Sequence, residues 1–382
     1  MRVLLISVKA GYGHHSTAQA VMDCLAERGI ESHMLDTFDY IAPALGESID
    51  KGYLFSTKNL PEVYGRAYSL LDRRTEEYKP SSLIAILSKL VSHKLREFID
   101  NYAPDLIIGT HSYACMVMTY LKQRGHISCP TIGIVTDFTV HPFWESTNID
   151  YYVTADALLD NQMRKKGIPK EKILPTGIPI NPKFHRRIDK IAARGMLKID
   201  NRRTILMMMG SMGFGNLEKQ LEAIDALDMD FQVLCVCGRN DKMKKEIDRR
   251  TWHRKIITYG FVDNVDVLMD AADCIITKPG GLTTSELLAK GLPAVIMNPI
   301  PGQEDRNMEF LVNNGAAIAA TETFGVDEAL FELFSHSWRL RLLKLSVRRL
   351  GKPNSTTNLC DFVEALLNGR DGDEFLREKG LR

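Results

Sequence analysis

The chain repeats one alternation along most of its length. Apolar runs of five to eight residues, "RVLLIS", "SHMLDTF", "DLIIGT", "TIGIVT" and "YYVTA", then "TILMMM", "FQVLCVC", "KIITYGF", "DCIIT", "LPAVIMN" and "AAIAA", are separated by segments of helical period. Short buried strands linked by helices pair mostly in parallel, so the pattern predicts α/β architecture with mostly parallel sheets. The alternation pauses at "LPTGIPINPKFH", residues 174–185, which holds three prolines and a glycine. A break of that composition marks a domain boundary, and 382 residues suit two domains of ordinary size. The expectation is a first domain over 1–178, a second over 179–355, and a C-terminal helix in 356–382 that packs back on the first domain and ends in a charged, frayed tail. Each half reads as a doubly wound unit. Ligands of such sheets bind outside the carboxyl ends of the strands, which predicts a site in a cleft between the halves.

Composition excludes several classes. Lys plus Arg (49) nearly cancels Asp plus Glu (48), so no nucleic-acid footprint is expected. The seven cysteines are scattered, without the C-x-x-C spacing of zinc sites. They read as reduced cytosolic thiols, and Cys235 and Cys237, two apart on one strand face, read as packing. The N-terminal apolar run is too brief for a secretory signal, and no run reaches the roughly 18 residues of a membrane span. The reading is a soluble or peripheral protein, never an integral one. A D-x-D triplet, Asp228 to Asp230, precedes the strand "FQVLCV". That places it at the amino edge, away from any ligand, so no metal site is expected.

The second half carries the strongest ligand signal. In "CIITKPGGLTTSE" a buried strand runs through Pro279, Gly280 and Gly281 into a helix whose first turn holds Thr283, Thr284 and Ser285. Free N–H groups and hydroxyls there form an anion site. In "MMMGSMGFGN" a second strand gives way to Gly210, Ser211, Gly213 and Gly215, supplying further donors to the same ligand. Glu286 lies two residues past Thr284, within reach of a ribose whose phosphates rest on the helix start. Gln303, Glu304 and Asn307 in "NPIPGQEDRN" fall in a loop after the next strand and suit sugar hydroxyls. No G-x-x-x-x-G-K-[ST] occurs, which disfavours a P-loop enzyme.

The first half opens on "VKAGYGHHSTAQAV". Gly11 and Gly13 sit where a strand turns into a helix, and they let the backbone approach either a dinucleotide phosphate or a substrate held against His14 and His15. For a dinucleotide, Asp36 stands at about the right distance for a ribose, while Ser16 occupies the third glycine position.

The motifs "GYGHHSTA", "GTHSYACM", "IVTDFTVHPFW", "TGIPINPKF", "VCGRNDKM", "YGFVDNVDVLMDAADCIITKPGGLTTSE" and "NPIPGQEDRN" follow in the order seen in processive diacylglycerol glucosyltransferases and monogalactosyldiacylglycerol synthases. The chain resembles that family from about residue 2 to 365, and more distantly the peptidoglycan N-acetylglucosaminyltransferase that makes lipid II. The resemblance implies a GT-B fold, two Rossmann-like domains facing across a cleft, and an inverting, metal-independent transfer without cofactor. The acceptor lipid would sit on the first domain and the UDP-sugar on the second. By the same resemblance Ser211 and its neighbouring glycines contact the diphosphate, Phe261 and Val262 border the uracil, Thr283 and Thr284 hold phosphate, Glu286 holds the ribose, and Gln303 and Glu304 the hexose. One departure stands out: several relatives carry Arg after "TGIPI" where this chain has Asn181. A neutral amide does not replace a guanidinium's charge, so the expectation is either that Lys183 or Arg239 compensates or that the diphosphate is held less tightly.

Transfer with inversion needs a base for the acceptor hydroxyl, and a histidine is mostly neutral at pH 7. His14 is the first candidate and Asp137, at the end of "TIGIVTD", the second. His111 and His141 fall in loops expected to border the same cleft, and His15 reads as a bystander. Residues 51–79 mix aromatics with Lys51, Lys58, Arg66, Arg73 and Arg74, a surface suited to an anionic bilayer on the cytoplasmic side. The sequence-based expectation is a UDP-glucose or UDP-galactose transferase acting on diacylglycerol or a glycosyl-diacylglycerol. The alternatives are a hydrolyzing UDP-sugar epimerase and a non-catalytic nucleotide-sugar sensor.

Overall fold

The computed structural model describes residues 1–8, 12–37, 40, 93–210 and 217–380. Gly11, Ser211, Gly213, Gly215 and the basic, aromatic segment 51–79 lie outside the described residues. The chain divides into two compact units, one of Met1–Pro182 with Asn354–Arg382 and one of Lys183–Pro353.

The first unit holds a parallel sheet ordered β2-β1-β3-β4-β5-β6, built from β1 (Arg2–Ser7), β2 (Glu31–Asp36), β3 (Leu106–Gly109), β4 (Thr131–Ile134), β5 (Tyr151–Val153) and β6 (Ile173–Leu174). Helix α1 (Tyr12–Glu27) follows β1 and α2 (Ser112–Gln123) follows β3. Order reverses between β1 and β3, so these two helices start on either side of the switch point where such sheets bind ligands. Gly109 ends β3 because α2 presses against it: a Cβ there would lie 2.7 Å from the Cys115 sulfur. The boundary falls at Pro182 rather than 178. Ile180 is tied to the C-terminal segment, its N–H donating to Thr356 Oγ1 at 3.0 Å while that hydroxyl donates back to its carbonyl. The helix Ser355–Leu367 buries Leu359, Phe362 and Val363 in the core of the first unit, and Arg28, just past the end of α1, holds it through Asp361 at 2.8 Å and Glu364 at 3.1 Å.

The second unit's sheet is ordered β12-β11-β10-β7-β8-β9, from β7 (Thr204–Met208), β8 (Gln232–Val236), β9 (Lys255–Tyr259), β10 (Cys274–Thr277), β11 (Ala294–Ile296) and β12 (Ala317–Ala319). This is the doubly wound order of a dinucleotide-type sheet, with the reversal between β7 and β10. Their register pairs Met208 with Thr277, so both strands end at the same level. Asp230 of the D-x-D triplet lies before β8, at the amino edge, and pairs with Arg202 at 3.2 Å. No helix among the described residues is long and apolar enough to cross a membrane.

Candidate functional site

Each unit places chemistry at its own switch point. In the first, three hydroxyls close off the carboxyl edge: Thr37 donates to the Ser7 carbonyl at 2.9 Å, and Thr110 donates to the Ser7 hydroxyl at 3.2 Å. All three residues are fully buried. Above them His14, in the first turn of α1, points Nδ1 at the Thr110 carbonyl, 2.8 Å away, with Thr136 Oγ1 at 3.0 Å from the same nitrogen. A carbonyl only accepts, so Nδ1 carries the hydrogen and Nε2 keeps its lone pair. Burial lowers the pKa of His14 below its ordinary 6.5, opposed by the charge of Asp137 and by the Thr110 hydrogen bond. The ring is therefore neutral at pH 7, its tautomer is fixed, and a carboxylate is placed to stabilise the imidazolium once a proton arrives.

His111 packs edge-on against His14, ring centres 4.8 Å apart, but the structure gives it another task. Its Nδ1 accepts the Tyr113 N–H at 3.0 Å and caps α2. Burial, then the charges of His14 and His141, pushes its pKa well below the usual range. His141 likewise caps the short 3-10 turn Pro142–Ser146, accepting the Phe143 N–H at 3.1 Å. With Nδ1 committed, neither can accept a proton there without losing its cap. His15 Nδ1 is buried with no hydrogen-bond partner among the described residues. Thr110 and Thr136 escaped the sequence reading, because a contact spanning 122 residues leaves no local signal.

In the second unit, β10 leads through Pro279 into α3 (Gly281–Lys290), whose N-cap, Gly280, has no side chain to cap it. The N–H groups of Gly281, Leu282 and Thr283 precede the first intrahelical bond, from Thr284 N–H to the Gly280 carbonyl at 2.9 Å, and are available to an anion. Thr284 is fully buried and its hydroxyl has no partner among the described residues. Ser285 is different, because its hydroxyl donates back to the Gly281 carbonyl at 2.8 Å. The far end of α3 is anchored by the buried Lys290–Asp270 pair at 2.6 Å and by Arg187 donating to the Ala289 carbonyl at 2.9 Å.

Gln303, Glu304 and Asn307 are not in a loop. They lie on the first two turns of α4 (Gln303–Asn313). Its N-cap, Gly302, has φ of +99°, open to glycine alone, and donates to Asp305 Oδ2 at 2.9 Å. Asn307 is fully buried and donates Nδ2 to the Pro279 carbonyl at 2.9 Å, so it braces the glycine turn from behind instead of facing a sugar. Glu304 pairs with Lys278 at 3.6 Å, accepts the Ile300 N–H at 2.6 Å, and stands 3.7 Å from where a Cβ on Gly280 would be.

Glu286 is half-buried, and burial pushes its pKa up to about 8; nearby Lys183 works against the shift and Asp266 with it. Lys183 donates to the Asp263 carbonyl and lies 3.9 Å from Asp266. Arg239, exposed after β8, sits over the exposed ring of Phe261 at 5.3 Å, and Phe261 and Val262 follow β9 in sequence. Gly210, with φ of +77°, turns the chain off β7.

Two family models match the chain: Monogalactosyldiacylglycerol (MGDG) synthase over residues 14–180 and Glycosyltransferase family 28 C-terminal domain over residues 204–337. A processive diacylglycerol beta-glucosyltransferase of Bacillus pumilus (strain SAFR-032) is 30% identical over 95% of this chain and 94% of its own length. Among solved structures, MurG of Acinetobacter baumannii matches with a TM-score of 0.64 at 16% identity, over 95% of this chain and 99% of that one. UDP-GlcNAc 2-epimerase of Neisseria meningitidis matches at 0.57 and 14%, over 96% and 100%. The structural likenesses carry the fold alone, which is GT-B.

Proposed function

Because the chain belongs to the family of diacylglycerol glycosyltransferases that includes the processive beta-glucosyltransferases, we propose that it moves a hexose from UDP-glucose or UDP-galactose onto diacylglycerol or a glycosyl-diacylglycerol at a membrane surface. The observation that carries the reading is the fixed tautomer of His14, with Nδ1 held on the Thr110 carbonyl at 2.8 Å. The acceptor hydroxyl attacks the anomeric carbon, its proton passes to His14 Nε2, and the bond from that carbon to the UDP oxygen breaks. One displacement inverts the configuration, and Asp137 steadies the imidazolium.

The charge of the leaving diphosphate falls on the N-terminus of α3 and the hydroxyls of Thr283 and Thr284, without a metal in this scheme. The helix end supplies about 0.3–1 kcal/mol, or ~2 when partly buried, and the unpartnered Thr284 hydroxyl adds a donor whose burial is otherwise uncompensated. Glu286 takes the ribose, Phe261 and Val262 border the uracil, and Gln303 and Glu304 meet the hexose. Seven unpaired thiols suit work on the cytoplasmic face.

Incubation with radiolabelled UDP-glucose and UDP-galactose in parallel, with dispersed diacylglycerol, should label a chloroform-soluble product from one of them. No lipid product from either donor contradicts the reading. Conversion of UDP-N-acetylglucosamine without acceptor would instead identify the epimerase, whose class shares this fold.

A further inference from the structure

Helix α5 (Ser337–Leu350), sequence "SWRLRLLKLSVRRL", has two faces of opposite character. Leu343, Val347 and Leu350 are buried in the second unit. On the other side Trp338, Leu342 and Leu345 are 52%, 56% and 67% exposed. Their spacing, i, i+4 and i+7, stacks them into one stripe along the helix. Single exposed apolar residues are ordinary, but three aligned ones are not. Five basic residues and no acidic one lie on this helix, in a chain whose charges otherwise nearly cancel. Arg339 is used by Glu332 at 2.8 Å and Lys344 is half-buried. Arg341, Arg348 and Arg349 are exposed, with no ion pair among the described residues, and they border the stripe.

An apolar stripe flanked by unpaired cations matches the surface of an anionic bilayer, with the side chains entering the acyl boundary and the guanidinium groups at the phosphates. We infer that α5 is a membrane-docking helix on the second unit, lying in the plane of an anionic phospholipid surface through Trp338, Leu342 and Leu345, with Arg341, Arg348 and Arg349 on lipid phosphates. The choice of a bilayer over a protein partner rests in part on the proposed lipid acceptor. Helix α5 is a different stretch of sequence from 51–79, which the sequence singles out for membrane contact and which lies outside the described residues.

The test uses the full chain and vesicles of phosphatidylcholine with or without phosphatidylglycerol, some carrying brominated acyl chains. Of the three tryptophans, Trp144 is buried and Trp338 is exposed, so bromine quenching should be strongest at Trp338 and fall sharply in Trp338→Phe. Each basic residue at such a surface is worth about fivefold in partition, so Arg341→Gln/Arg348→Gln/Arg349→Gln should weaken binding to anionic vesicles roughly a hundredfold. Leu342→Ser/Leu345→Ser should weaken it for both vesicle types. Transfer to detergent-dispersed diacylglycerol should be unchanged in both variants, which also shows that they fold. Unquenched Trp338, variants that bind vesicles like the parent, or variants that alter self-association instead of vesicle binding would each overturn the inference. Absent transfer to dispersed acceptor in the parent chain would refute the proposed function instead, leaving the vesicle result to stand alone.

Discussion

Glu286 offers the most quantitative test of the proposed donor site. Its pKa of about 8 means that at pH 7 only about a tenth of the molecules carry the carboxylate. Two ribose hydroxyls bind best to that carboxylate, which accepts from both. Apparent affinity for a UDP-sugar therefore scales with the ionised fraction. That fraction rises from about 0.03 at pH 6.5 to about 0.8 at pH 8.5, so binding should tighten roughly twentyfold over this window. A UDP-hexose is the proper probe, because its diphosphate is a diester that does not titrate there, and His14 and His111, both lowered, are already neutral. Calorimetry in buffers of different ionisation enthalpy should show close to one proton released per donor bound at pH 7. Glu286→Gln should bind weakly, with no pH slope and no proton release. In the unliganded protein the sign reverses. A carboxyl raised from 4.5 to about 8 holds its proton in the folded state where the unfolded chain loses it, so its contribution to stability declines as pH rises through that interval. Affinity that is flat or falls between pH 6.5 and 8.5 would refute both the placement of the ribose and the role of burial.

Two more outcomes follow from the same turn. Thr284→Val removes a buried hydroxyl with no partner, so the unliganded protein should gain about 1 kcal/mol in denaturant unfolding while UDP-sugar binding weakens about tenfold; a loss of stability would show the hydroxyl is satisfied. Asn307→Ala should cost about 1–3 kcal/mol and raise the KM for donor, because the Pro279 carbonyl is left without its donor; a change in hexose preference with unaltered stability would return Asn307 to the sugar.

The sheets were legible because each strand is a compact apolar run. β6 was the exception, since two paired residues, Ile173 and Leu174, are too few to make a pattern. The glycine turn into α3 and its threonines were legible as a strand-to-helix turn because strand, glycines and hydroxyls are contiguous. His111 and His141 each stand one position before a helical turn, and His141 precedes a proline at N1. That is a capping signature, readable in sequence. What fixes the tautomer of His14 was not readable: the Thr110 carbonyl and the Thr136 hydroxyl reach it only because β1, β3 and β4 end side by side.

The role of His14 is the point on which the proposed chemistry turns. The most direct measurement compares steady-state transfer of labelled hexose to dispersed diacylglycerol by the parent chain and by His14→Gln, with donor affinity determined on the same samples. The expected result is a 10²–10⁴-fold loss of kcat with donor binding within twofold of the parent, and for the parent an acid limb with an apparent pKa below 6.5, where lowered His14 takes up its proton. Turnover by His14→Gln within tenfold of the parent, with the acid limb unmoved, would contradict His14 as the base.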